Sequence, residues 1–95
     1  MSVNEVCCTA RISGTVQMVW YRAWTVEEAE KRGLSGWVRN RKDGTVEALF
    51  WGRAKAVEEM LAACRDGPPN AEVTDIVTSP AEPPGKRGFF QLPTE

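Results

Sequence analysis

The residues best suited to chemistry lie in one short segment, residues 14–22, between a strand-like run and a helix-like run. A loop that leads into a helix presents unpaired backbone N–H groups at the positive end of the helix dipole, and such groups bind anions, phosphate in particular. Most loops of this length only connect two elements. The segment therefore raises two hypotheses, a phosphate site and a plain connection.

Arg22 adds support to the anion hypothesis. A cation in the first turn of a helix opposes the helix dipole at a cost of about 0.3–1 kcal/mol. The cost disappears when a dianion lies between the N–H groups and the guanidinium, which forms bidentate, charge-assisted hydrogen bonds. The alternative is a solvated surface arginine whose stem lies on Trp20 or Trp24. By itself, Arg22 leaves the two roles equally supported.

Asn40 is the second candidate, because it ends a strand-like run. Asparagine is disfavoured within strands and common where a turn begins, so starting the turn is its ordinary role. A chemical role requires that its strand lies beside the first strand and brings the carboxamide near Arg22. A carboxamide both donates and accepts hydrogen bonds, so it can orient a water molecule without taking its proton.

Several kinds of chemistry are excluded by what the sequence lacks. It contains no histidine, which rules out Ser–His and Cys–His nucleophile pairs and His-ligated metal sites. Cys7, Cys8 and Cys64 lack the C-x-x-C spacing of a zinc site, and we expect reduced thiols that pack as small apolar groups. The phosphate motifs GxxxxGK[ST] and GxGxxG are also absent. The sequence therefore predicts no metal site, no cofactor and no nucleotide-binding fold.

Five strand-like and two helix-like segments must position these residues. Strands are predicted at residues 6–12, 36–40, 45–51, 71–78 and 88–92, and helices at residues 22–32 and 54–65. Gly33 and Gly67 are placed to end the helices, and Asp43-Gly44 supplies a tight turn. This order predicts an α+β ferredoxin-like split βαβ sandwich, with an antiparallel four- to five-stranded sheet and two helices on one face.

Apolar spacing predicts which helix faces are buried. The first helix is expected to bury Ala23, Val26 and Ala29, and the second Ala54, Val57, Met60, Leu61 and Cys64. The four tryptophans, Trp20, Trp24, Trp37 and Trp51, are expected to pack in the core or at its edge.

Composition limits the class of protein. A chain of 95 residues is enough for one core, so we expect a single domain over residues 1–95. The net charge of −1 provides no field that would hold a nucleic acid. The chain contains no apolar run of about 20 residues and no signal-peptide pattern, so we expect a cytoplasmic protein that does not bind membranes.

Residues 14–22 closely resemble the acylphosphatase signature G-x-V-Q-G-V-x-[FY]-R, and residues 36–46 resemble that family's second signature, G-[FYW]-[AVC]-[KRQAM]-N-x(3)-G-x-V. The similarity extends over residues 5–92. It implies a ferredoxin-like fold and the hydrolysis of acyl phosphates to a carboxylate and orthophosphate. It also implies a backbone phosphate cradle, a phosphate-binding arginine matched by Arg22, and a water-orienting asparagine matched by Asn40.

A mechanism follows from this resemblance. Acyl phosphates release a carboxylate, a good leaving group, so placement and charge stabilisation matter more than a strong base. We expect the Arg22 guanidinium to bind the phosphoryl group while Asn40 holds a water in line, without a metal or covalent intermediate. The cradle donors would be the backbone N–H groups of Thr15, Val16, Gln17, Met18 and Val19. The expected partners are a small-molecule acyl phosphate and the product, inorganic phosphate, and the chain is expected to be a monomer.

Met18 departs from the signature, which has glycine at that position. If the backbone there needs a positive φ or close approach to phosphate, methionine costs about 1–3 kcal/mol. One alternative is therefore an acylphosphatase-like domain that binds an anion or a partner with weak or absent catalysis. A less favoured alternative is an RNA-binding module of the same topology, because residues 87–90 partly match the RNP1 pattern.

Overall fold

The computed structural model describes residues 4–95, and the elements follow the predicted order. They are β1 (Glu5–Thr15), α1 (Tyr21–Lys31), β2 (Ser35–Asn40), β3 (Val46–Arg53), α2 (Ala54–Asp66), β4 (Glu72–Pro80) and β5 (Phe89–Gln91). The main difference in bounds is that β1 continues through Thr15, where the sequence predicted a break after Ile12. The extra residues pair with β4 across an irregularity between Ser13 and Gly14, and a bulge of this kind bends a strand without ending it.

The strand order in the sheet is β4-β1-β3-β2-β5. Strands β1 to β4 pair antiparallel, as predicted. Strand β5 runs parallel to β2, so the sheet is mixed and the expectation of a purely antiparallel sheet is corrected. After β4, the chain crosses one end of the sheet, where the Ala81 N–H bonds the Cys7 carbonyl and the Gly88 N–H bonds Ser35 Oγ. Because the chain reaches the far edge from that end, β5 takes the direction of β2.

Both helices bury one side against the same face of the sheet. Helix α2 buries Val57, Met60 and Cys64, as its apolar spacing predicted. Helix α1 is rotated from the predicted face, since it buries Tyr21, Thr25 and Ala29 while Ala23 is exposed. Hydrogen bonds explain the rotation, because they satisfy the buried hydroxyl groups. The Tyr21 hydroxyl donates a 2.6 Å hydrogen bond to the Cys64 carbonyl, and the Thr25 hydroxyl donates a 2.7 Å hydrogen bond to the Tyr21 carbonyl.

The tryptophans differ in environment. Trp24 packs against the core, with its ring centroid 5.3 Å from that of Tyr21. Trp37 and Trp51 are half-buried on the sheet. Trp20 is 81% exposed, so the expectation of core or core-edge packing is wrong for this residue. It lies immediately before α1, where its side chain extends away from the helix–sheet interface.

The three cysteines are free thiols. Cys64 is fully buried, and Cys8 packs against the core from β1. Burial raises the pKa of the Cys64 thiol to about 12. The thiols therefore stay protonated at neutral pH and act as packing groups.

The helices of residues 4–95 have 11 and 13 residues. Neither is long and apolar enough to cross a bilayer.

Candidate active site

The loop between β1 and α1 has an unusual backbone. Met18 has φ 63° and Trp20 has φ 66°, and these are the two non-glycine residues with positive φ in the described part of the chain. Backbone turns with left-handed residues direct N–H groups into a concave, anion-binding arrangement. The positive φ expected to matter at position 18 is thus present, while the Met18 side chain is fully exposed. The thioether extends into solvent at the mouth of the site and does not fill it.

The loop leaves a group of backbone donors unpaired. Among residues 4–95, no acceptor is found for the backbone N–H groups of residues 16–20. The first hydrogen bond of α1 runs from the Trp24 N–H to the Trp20 carbonyl, at 3.0 Å, so the earlier N–H groups of the first turn are also free. This helix has no side-chain N-cap and no acidic residue in its first turn. The donors therefore lie at the positive end of a helix whose own cap and first turn supply no negative charge.

Two contacts hold the loop in place. The Gln17 side-chain amide donates hydrogen bonds to the carbonyl oxygens of Arg41, at 2.7 Å, and Thr45, at 2.9 Å. At the other end, Gly14 has φ 120°, and a Cβ at this position would collide with the Glu72 carbonyl of β4. The loop is thus tied to the β2–β3 turn on one side and packed against β4 on the other.

Arg22 and Asn40 line the same cavity, which has a volume of about 440 Å³. A chemical role for Asn40 was expected to require that its strand, β2, lies beside β1. Strand β3 lies between these two strands, so that arrangement is not found. Helix α1 packs over β2 instead, which brings its first turn to the end of that strand. Arg22 is half-buried, and Asn40 is 9% exposed.

The carboxamide of Asn40 carries the clearest sign of a ligand. Its Oδ1 atom is buried and has no hydrogen-bond partner in the described structure. An unsatisfied buried acceptor costs about 1–3 kcal/mol, so folded proteins retain few of them. Asn40 lines the cavity, and a water or ligand that reached Oδ1 from there would satisfy it.

The structure brings together some of the predicted cradle residues. Val16 and Met18 line the cavity. Thr15 is the last residue of β1 and pairs with Glu72. The Gln17 side chain binds the β2–β3 turn, and Val19 packs against the core. These last three do not line the cavity, so their predicted role is limited to their backbone N–H groups.

Sequence reasoning missed four residues of the cavity wall, Trp20, Tyr21, Ala23 and Gln91. Trp20 was expected to pack in the core or at its edge. Its position directly before the predicted helix could instead have indicated a place at the site, because the anion-binding N–H groups lie there. Ala23 had been assigned to the buried face of α1. Gln91 lies in β5, and its approach depends on the parallel pairing with β2, which no local pattern predicts.

The electrostatics of the cavity are simple. Arg22 is the one charged side chain among the described residues that line it. Burial raises the pKa of the Tyr21 phenol well above its usual range, so Tyr21 stays neutral and donates to Cys64 instead of acting as a base. Residues 4–95 contain no group of three or more Cys, Asp or Glu side chains placed to bind a metal ion. The arrangement can bind an anion and orient a neutral molecule beside it.

The fold and cavity define a ferredoxin-like α+β domain with an open cavity at a helix N-terminus. An acylphosphatase family model matches residues 8–91. An acylphosphatase from Rhodospirillum rubrum is 62% identical over 84 residues, which cover 88% of this chain and 92% of the relative. The chain belongs to the acylphosphatase family, and it hydrolyses acyl phosphates.

Solved structures agree with this assignment. The acylphosphatase from Bacillus subtilis has a TM-score of 0.84 at 34% identity, with 92% of this chain and 97% of that chain covered. The acylphosphatase from Coxiella burnetii has a TM-score of 0.89 at 29% identity, with 94% of each chain covered. The substrate is accordingly a small-molecule acyl phosphate.

Proposed function

We propose that the chain hydrolyses acyl phosphates by in-line attack of a water molecule that Asn40 positions, on a phosphoryl group held by Arg22 and the backbone of residues 15–19. The observation that carries this proposal is the buried, unpartnered Oδ1 of Asn40 in the cavity that Arg22 also lines. An acceptor that the fold leaves open can receive a hydrogen bond from the attacking water.

Phosphoryl binding rests on complementary charge. Unpaired N–H groups belong to residues of the loop and of the first turn of α1 that line the cavity, and the one charged lining side chain is the Arg22 guanidinium. A dianionic phosphoryl group offsets the repulsion between this cation and the helix dipole. The planar guanidinium can bind two phosphoryl oxygens at once.

The reaction is balanced without further groups. The water oxygen forms a bond to phosphorus, and the bond from phosphorus to the acyl oxygen breaks with its electron pair leaving on the carboxylate. Both water protons end on orthophosphate, which exchanges them with solvent. Because the carboxylate leaves readily, orientation and charge stabilisation supply the catalysis. Neither a metal ion nor a covalent intermediate takes part.

Further properties complete the proposal. We propose one domain over residues 1–95 that acts as a cytoplasmic monomer and does not bind nucleic acid. The net charge of −1 supports this last point, because it gives no field for a polyanion.

The Arg22→Lys variant tests phosphoryl binding. Lysine keeps the charge and loses the planar fork, so substrate affinity and turnover should fall together, with kcat/KM reduced about 100-fold or more. Arg65→Lys, on the exposed end of α2, is the matched control and should keep full activity. Near-normal hydrolysis by Arg22→Lys would contradict the assignment.

The Asn40→Ala variant tests water positioning. Turnover should fall about 100-fold while the inhibition constant of inorganic phosphate stays close to that of the unmodified chain, since water placement matters only for the reaction. Asn70→Ala, in an exposed turn, is the control. A loss of phosphate affinity with turnover preserved would show that the role of Asn40 is wrong.

A further inference from the structure

The mouth of the cavity carries two exposed apolar side chains that the hydrolytic mechanism does not use. Met18 is 100% exposed and Trp20 is 81% exposed, and both line the cavity. Both residues also have left-handed backbone, which is unfavourable for any residue with a Cβ atom. Neither side chain gains burial from folding in return, and strained residues of this kind cluster at ligand-binding sites.

The cavity has room for more than a phosphoryl group. Its volume is about 440 Å³, whereas a water molecule takes up roughly 30 Å³ in the liquid. A phosphoryl group and one water fill only the part beside Arg22 and Asn40. The acyl group of the substrate is joined to the phosphoryl group opposite the attacking water, so it must extend toward the open side of the cavity.

The exposed large apolar side chains of the lining are those of Met18 and Trp20. Arg22 is the one charged side chain among the described lining residues, and in the proposed mechanism it binds the phosphoryl group. A second anionic group on the substrate would therefore find no cation there. An apolar acyl group would instead bury the exposed surfaces of Met18 and Trp20, with a thioether that contacts aromatic rings favourably and an indole that stacks on them.

We propose that Met18 and Trp20 form a subsite for an apolar acyl group, so that the chain prefers acyl phosphates with an aromatic or long aliphatic acyl group over acetyl phosphate and over those with a second carboxylate. This inference rests on the proposed function, because it takes the phosphoryl group to lie beside Arg22. It assigns a substrate class to the same cavity.

The test compares kcat/KM for benzoyl, acetyl and succinyl phosphate in five forms of the protein. They are the unmodified chain, Met18→Asn, Trp20→Asn, the double variant, and Met18→Leu. Asparagine tolerates left-handed backbone and removes the apolar surface, while leucine keeps that surface. Val77→Thr changes an exposed apolar residue on β4 that does not line this cavity, and it serves as the control.

The unmodified chain should favour benzoyl phosphate over both other substrates. In each asparagine variant the benzoyl-to-acetyl ratio of kcat/KM should fall about five- to tenfold, through loss of apolar contact area. The loss for benzoyl phosphate should exceed any change in acetyl phosphate hydrolysis or in inhibition by inorganic phosphate, because these two need only the phosphoryl site. Position 18 also contributes a backbone N–H group to the proposed cradle, so the ratio of the two substrates is the quantity that decides. Met18→Leu and Val77→Thr should keep the original ratio.

Two outcomes would overturn the subsite. One is an unchanged benzoyl-to-acetyl ratio in the double variant, and the other is an equal loss for both substrates, which would assign the two residues to the phosphate cradle. Failure of the proposed function looks different, because the unmodified chain would then hydrolyse acetyl phosphate without dependence on Arg22 or Asn40.

Discussion

The side-chain amide of Gln17 donates a 2.7 Å hydrogen bond to the carbonyl oxygen of Arg41, the residue that follows Asn40. A second bond, of 2.9 Å, runs to the Thr45 carbonyl on the other side of the turn. The Gln17 side chain therefore joins two parts of the site. One is the loop with the proposed phosphate-binding N–H groups, and the other is the end of β2, where Asn40 is proposed to position the water. The two parts of the site are held in register before any ligand binds.

Replacing Gln17 should loosen this connection. Gln17→Ala removes two hydrogen bonds, so we expect the free energy of unfolding to fall by about 1–3 kcal/mol and kcat/KM for acyl phosphates to fall about tenfold as the cradle loses its placement. Gln17→Glu should be at least as harmful, because a carboxylate would face two carbonyl oxygens. Urea unfolding and steady-state kinetics measure both effects. Unchanged kcat/KM in Gln17→Glu would contradict a positioning role.

Met18→Gly should stabilise the protein. The φ of 63° at Met18 costs about 1–2 kcal/mol for a residue with a Cβ, while glycine loses about 0.5–1 kcal/mol through its more flexible unfolded state. We expect a net gain of up to about 1 kcal/mol in urea unfolding, with turnover of acetyl phosphate at least equal to that of the unmodified chain. Ala62→Gly, exposed in α2, is the control and should lose about 1 kcal/mol. Equal losses in both variants would mean that position 18 is unstrained.

Asn40→Ala should separate stability from activity. Removing the unpartnered Oδ1 relieves an unfavourable burial, so the free energy of unfolding should stay the same or rise by about 1 kcal/mol while turnover falls. Val38→Ala on the same strand removes fully buried apolar atoms and should cost about 2 kcal/mol or more. Both are measured by urea unfolding without phosphate. A loss at Asn40 as large as the loss at Val38 would show that the carboxamide has a structural role.

Gly14→Ala and Gly44→Ala should differ in severity. Both glycines have positive φ, of 120° and 94°. In both variants the resulting backbone strain should lower the free energy of unfolding by about 1 kcal/mol or more. At Gly14 the added methyl group also collides with the Glu72 carbonyl of β4. At Gly44 nothing lies within 4 Å of the added methyl group. We expect Gly14→Ala to lose at least about 2 kcal/mol more in thermal or urea unfolding. Equal losses would mean that the loop can move away from β4.

Stability should fall in alkaline solution. Burial raises the pKa of the Cys64 thiol to about 12 and holds the pKa of the Tyr21 phenol well above its usual range. In the unfolded chain these groups ionise near about 8.5 and about 10. The folded state then binds more protons than the unfolded state, so the free energy of unfolding is highest below about pH 8.5 and decreases as pH rises toward about 12.

Tyr21→Phe tests this dependence. The variant should be less stable at neutral pH by about 1 kcal/mol, through loss of the hydrogen bond to the Cys64 carbonyl. Above about pH 10 its stability should decrease less steeply than that of the unmodified chain, because one titrating group is gone. Urea unfolding at several pH values gives both slopes. Identical slopes would mean that Tyr21 does not contribute to the alkaline loss.

Local pattern determined most of the elements. Gly33 and Gly67 follow the ends of α1 and α2 as predicted, and Gly44 lies in the turn between β2 and β3 with the expected positive φ. These features depend on conformational preferences and apolar spacing within a few residues, and a sequence displays both directly. The resemblance to a family signature likewise singled out Arg22 and Asn40.

Only the tertiary structure decided how distant segments meet. The parallel pairing of β5, which brings Gln91 to the cavity, depends on where the chain crosses the sheet. The rotation of α1 that buries Tyr21 depends on the Cys64 carbonyl, 43 residues away. The unpartnered acceptor of Asn40 lies at the end of β2, the strand that α1 packs over. Such contacts arise from packing between elements far apart in the chain, and no local preference specifies them.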